Sequence, residues 1–152
     1  MQLVTPRLRR ALGTNPIGDE SAFSLLRRFV EGLPGLKPGR LTLYLGRPDP
    51  AAVRTEHAEI GRLARNSRRT VVITPSSAPL PAGVERRDPT GWLSYTWFTV
   101  VIGEAAAIAL VAEAPAGQPE APVLVTDPDA VRQFLRSVEA ELARPDPELI
   151  AV

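Results

Sequence analysis

The chain has 152 residues, 44% of them apolar, enough for one core that buries roughly 68–70% of the unfolded surface and too many for a disordered segment. Eighteen Lys and Arg against 17 Asp and Glu leave a net charge of +1, a balance that argues against nucleic acid as the main partner. Cysteine is absent and His57 is the sole histidine, which excludes disulfides, thiolate chemistry and any two-histidine metal site.

Residues 1–18 read as an irregular arm broken by Pro6, Gly13, Pro16 and Gly18. No apolar run follows Arg7, Arg9 and Arg10, and none in the chain nears the about 18 residues of a membrane span, so a cytoplasmic location with no membrane partner is expected. A helix is predicted to start near Asp19 to Ser21, with a stripe of Phe23, Leu26, Phe29, Val30 and Leu33, and to end at Gly32, Pro34 and Gly35. The glycines and Lys37 that follow lack a G-K-[ST] ending and precede a strand, so they form a turn rather than a phosphate loop.

Leu41 to Leu45 alternates as a strand does, and Asp49-Pro50 then opens a helix reaching about Asn66. Its predicted stripe is Val53, His57, Ile60 and Ala64, with Arg54, Glu56, Glu59, Arg62 and Arg65 outside. On that stripe His57 reads as a packed, hydrogen-bonded imidazole. No nucleophile elbow surrounds Ser76, Ser77 or Ser94 to make a triad with it. Thr70 to Thr74 is a continuous apolar strand, and strand–helix–strand makes a βαβ unit with a right-handed parallel crossover. Arg62, Arg65, Arg68 and Arg69 complement the helix end and make a solvated rim; as a nucleic-acid patch they lack interleaved aromatics for stacking.

Pro75 to Gly91 is irregular, with a short edge strand around Val84 to Arg87. Trp92 to Ala112 reads as a hairpin; Ala105 to Ala107 also suit a helix, but β-branched neighbours and the lack of a cap favour strands. On alternating positions Tyr95 and Trp97 share a face. With Trp92 they either line a cleft for a small apolar or aromatic ligand, to which Glu104 and Thr126 add polar groups, or plug the core. Ala114 to Pro122 is a connection, and Val123 to Val125 a third strand. The last helix is capped by Thr126 or Asp127, carries Pro128 in its first turn, and has the stripe Val131, Phe134, Leu135, Val138 and Leu142. Arg144 suits its negative end, Pro145 stops it, and 145–152 is a tail. Glu113, Glu120, Asp127 and Asp129 could gather around a hard cation, but capping accounts for Asp127 more simply. No metal and no cofactor are predicted.

Aromatic-led Trp97-Phe98-Thr99-Val100-Val101-Ile102 enters Gly103-Glu104-Ala105-Ala106; Ala107 to Ala112 follows, and Val123-Leu124-Val125-Thr126-Asp127 leads into the final helix. This run, 97–142, resembles the C-terminal half of the DICT domain, a sensory module that its family joins to diguanylate cyclases, histidine kinases and helix-turn-helix activators. The resemblance implies a non-catalytic ligand-binding module that passes a signal onward. No output segment accompanies it in this chain, so a separate output protein or a homodimer is expected. A protein–protein interaction domain using the hairpin edge or last helix is the alternative. An accessory nucleic-acid binder using Arg7, Arg9, Arg10 and the Arg62 to Arg69 run is the second alternative. The predicted architecture is a single α/β domain, 19–144: a mixed sheet of about five strands, βαβ in the first half and an antiparallel hairpin in the second, with helices packed on it.

Overall fold

The computed structural model describes residues 20–36, 38–104, 106–113 and 120–144. Helix α1 (Glu20–Leu36) precedes strand β1 (Thr42–Gly46); α2 (Pro50–Thr55) and α3 (His57–Asn66) lead to β2 (Arg69–Ile73). The short β3 (Glu85–Arg87) and a 3₁₀ turn at Gly91–Tyr95 follow. Then come β4 (Thr96–Ile102), β5 (Ala107–Glu113), β6 (Glu120–Val125) and α4 (Pro128–Leu142). The strands form one sheet in the order β3-β2-β1-β4-β5-β6. β1, β2 and β3 run parallel, as expected of βαβ connections, whereas β4, β5 and β6 are antiparallel. The fold is thus α/β on one mixed sheet. Among the described residues no helix is long and apolar enough to cross a membrane.

The period of two along each strand divides the core into two layers. Leu43, Leu45, Val72, Trp97, Val101 and Leu110 face Val30 of α1, Val53 of α2, and Ile60 and Leu63 of α3. Tyr44, Val71, Ile73, Phe98, Val100 and Val111 face Val131, Phe134 and Val138 of α4. Gly46 sits opposite Phe98 in the β1–β4 register, and a Cβ there would run into the Phe98 ring, so only glycine allows that pairing. The Asp127 side chain caps α4 by accepting from Ala130 N at 3.2 Å, and Pro128 fills the first turn; Thr126 is exposed and is not the cap.

Several local expectations are corrected. α1 continues through Gly32, Pro34 and Gly35 to Leu36 because packing on β4, β5 and α3 overrides the lost amide of Pro34. Phe29 is 61% exposed, since the buried face of α1 carries Val30, Glu31 and Pro34 instead. The single helix 49–66 is two, with Glu56 at the break in a φ −93°, ψ 7° conformation. His57 starts the second and is exposed rather than packed; the inward positions are Val53, Ile60 and Leu63. The Trp92 to Tyr95 segment is a 3₁₀ turn, not strand, closed by Thr96 Oγ1 donating to Trp92 O at 2.8 Å. The arm 1–18, Asp19, Lys37, Ala105, residues 114–119 and the tail 145–152 lie outside the described residues, as do the side chains of Phe23 and Leu26.

Phe134 meets Phe98 edge-to-face at 5.3 Å and Trp92 at 6.0 Å. Phe134→Ala is expected to destabilise the fold by ~3–5 kcal/mol in urea unfolding, with the m-value unchanged.

Candidate functional site

β1 ends at Gly46, and the next residue, Arg47, keeps the parallel pairing by donating its backbone N–H to Ile73 O at 2.9 Å. Its side chain is 0% exposed. The guanidinium donates to the carbonyls of Phe98 (2.6 Å) and Gly46 (3.1 Å), to Thr99 Oγ1 (3.0 Å), to Glu31 (3.2 Å) and to Glu56 (3.4 Å). Thr99 in turn donates its hydroxyl to Glu31 at 3.0 Å. Arg27 reaches the same two carboxylates, Glu31 at 3.1 Å and Glu56 in a close contact. Both guanidiniums lie over the Trp97 ring, Arg47 at 4.2 Å and Arg27 at 5.3 Å from its centroid.

Two cations and two carboxylates therefore neutralise one another beneath α1. Burial pulls the Arg47 guanidinium below its ordinary value, opposed by Glu56 and Glu31. At Arg27 burial also disfavours the charge, but Glu31 and Glu56 outweigh it and hold the group above its ordinary value. Both arginines stay protonated, because a guanidinium does not release its proton in proteins. The cluster is a charge lock in which both arginines keep their charge.

At the opposite end of the sheet the surface opens. A groove of about 920 Å³ crosses the start of β1 and the end of β4, from α1 on one face to α4 on the other. Leu33, Leu36, Leu41, Ile102 and Ala106 supply its apolar lining. Arg40, Arg68 and Arg132 supply guanidiniums, and Glu104 is the acid among the lining residues. None of these four side chains forms an ion pair among the described residues. Gly103 N donates to Ala106 O at 2.7 Å, and Arg68 N to Leu41 O at 2.8 Å, so the two loops bordering the groove are tied by backbone bonds. The size lies within the roughly 300–1,000 Å³ usual for small-molecule sites.

The residues predicted from sequence to form one pocket are separated. Trp97 is 3% exposed and belongs to the α1 layer; Trp92 packs with the α4 layer; Tyr95 is 55% exposed. Tyr95 and Trp97 do not share a face because the strand begins only at Thr96. Glu104 lies at the groove end, in the turn after β4, and Thr126 lies at that same end, just after β6. The arginine run is divided too. Arg62 bonds Glu59 at 3.1 Å, and Arg69 bonds Glu85 at 2.7 Å and Tyr44 at 3.3 Å. Hydrogen bonds from these arginines hold the Glu59 and Glu85 carboxyls below the ordinary range. Arg65 is exposed, and Arg68 borders the groove. Among the described residues no three of His, Cys, Asp and Glu gather to hold a metal ion.

No family model matches this chain, and no curated protein or solved structure matches it either.

Sequence reasoning missed Arg47, Glu31 and Glu56. One signal was there: Glu56 stands at helical spacing between Val53 and Ile60, the place assigned to His57. Arg47→Met is expected to cost ~3–5 kcal/mol because it strips the buried carboxylates of a counter-charge. Arg47→Lys is expected to recover little, since an ammonium cannot reproduce the planar fork. Arg54→Ala, at an exposed position, should stay within about 0.5 kcal/mol of the parent in the same urea titration.

Proposed function

We propose that this domain is a non-catalytic sensory module of the DICT type, which takes up a small molecule in the groove beside Gly103 and passes the event to a separate protein. The observation that carries this reading is the groove itself. It combines an apolar wall with charged groups that form no ion pair among the described residues, as ligand sites do, and its border includes the Gly103-Glu104 turn of the DICT-like run.

Helix α1 offers the route from ligand to partner. Leu33 and Leu36 in its last turns line the groove, while Glu31 is fixed on Arg47. A molecule pressing on the end of the helix thus works against an anchored point, and the exposed Phe29 on the same helix gives a partner an apolar handle. Catalysis has less to build on. His57 is exposed, and the buried acids are already ion-paired, Glu31 with Arg27 and Arg47, and Glu141 with Arg144. The nucleic-acid reading is weakened by the pairing of Arg62 and Arg69 with carboxylates.

A thermal-shift screen of small metabolites is expected to yield ligands that stabilise the wild-type chain, by about 2.7 kcal/mol at a hundredfold excess over Kd. Leu36→Glu, which sets a carboxylate on an exposed part of the groove wall, should abolish those shifts without altering the unliganded fold. A screen without any stabilising compound, or ligands indifferent to Leu36→Glu, would contradict the proposal.

A further inference from the structure

Resting on the groove as the binding site, we infer that its ligand is an amphipathic anion, a carboxylate or phosphate head carried on an apolar chain or ring. Three arginines line it from distant parts of the chain: Arg40 from the turn before β1, Arg68 from the residue before β2, and Arg132 from the first half of α4. Outside the groove six arginines are handed to carboxylates, Arg27, Arg47, Arg62, Arg69, Arg87 and Arg144, Arg86 and Arg136 bond backbone carbonyls, and Arg28, Arg54 and Arg65 stand exposed on separate helices. The groove gathers three that form no ion pair among the described residues, although Glu104 lines the same space. The described lining therefore carries three cations and one anion.

A neutral ligand would desolvate those guanidiniums without replacing their hydration, and a cationic one would add to their repulsion. A carboxylate or phosphate matches the guanidinium fork with two parallel charge-assisted hydrogen bonds. The head alone leaves the other half of the surface unused. Leu36 is 75% exposed at the end of α1, and together with Leu33 and Ile102 it offers an apolar wall that a hydrocarbon or aromatic tail would cover. Head and tail together account for both halves of the lining.

The probes are decanoate, decanol and inorganic phosphate, each titrated by isothermal calorimetry into the wild-type chain and into the folded double variant Arg68→Gln/Arg132→Gln. The expected result is that decanoate binds and weakens about tenfold or more in the double variant, while decanol binds poorly to both and phosphate alone does not saturate. Decanol binding as tightly as decanoate, with no effect of the double variant, would overturn the anion assignment and leave the groove as an apolar site. Phosphate binding alone as well as decanoate would overturn the amphipathic part. Binding by none of the three overturns the assignment outright. The metabolite screen above then tells separately whether the groove takes another ligand.

Discussion

A guanidinium with no solvent exposure dictates what may surround it. Arg47 needs five donors satisfied and one charge balanced, and the fold supplies partners from four separate segments: Glu31 on α1, Glu56 at the break between α2 and α3, Thr99 and the Phe98 carbonyl on β4, and Gly46 on its own strand. Such a network brings little net stability compared with an apolar filling of the same volume. Its consequence is positional: it fixes which residue of α1 lies over β4 and which residue of the α2–α3 break points inward. The exposed Phe29, the buried Glu31 and the outward His57 all follow from that demand.

The location of the lock also decides which end of the sheet is open. Open α/β sheets usually bind ligands beyond the carboxyl ends of their parallel strands, where the chain order reverses. Here the chain crosses from one side of β1 to the other between β3 and β4, and the carboxyl end of β1 is the place where Arg47, Trp97 and the two glutamates are packed. The protein's own charges fill that crevice. The groove lies instead at the amino end of β1 and β2, which the antiparallel β4 makes its own carboxyl end, so the Gly103-Glu104 turn can border it.

Regular elements were legible where pattern and cap agreed. Asp127-Pro128 with Val131, Phe134 and Val138 determines α4 locally, the alternation of β1 reads as strand without tertiary context, and β4 does so through its β-branched run and the lack of a helix cap. The site was legible only in fragments. Glu104 and Arg68 were singled out for different reasons and meet at the groove, whereas the aromatic trio came apart because a 3₁₀ turn, invisible to a period of two, delays the strand to Thr96. Arg47 could not be distinguished by composition among 18 cations, because its burial depends on carboxylates 16 and nine positions away. Pro34 misled for a related reason: a helix end is a local signal, and packing of α1 on the sheet overrides it.

The charge lock closes one end of the sheet, and the proposed ligand groove lies at the other. Backbone amide chemical shifts of the ¹⁵N-labelled chain, followed while decanoate is added, distinguish the two ends. Perturbations are expected at Leu36, Thr42, Arg68, Ile102, Gly103 and Glu104, with Arg47 and Thr99 unchanged. Perturbations centred on Arg47 and Thr99 would instead put the ligand at the locked end.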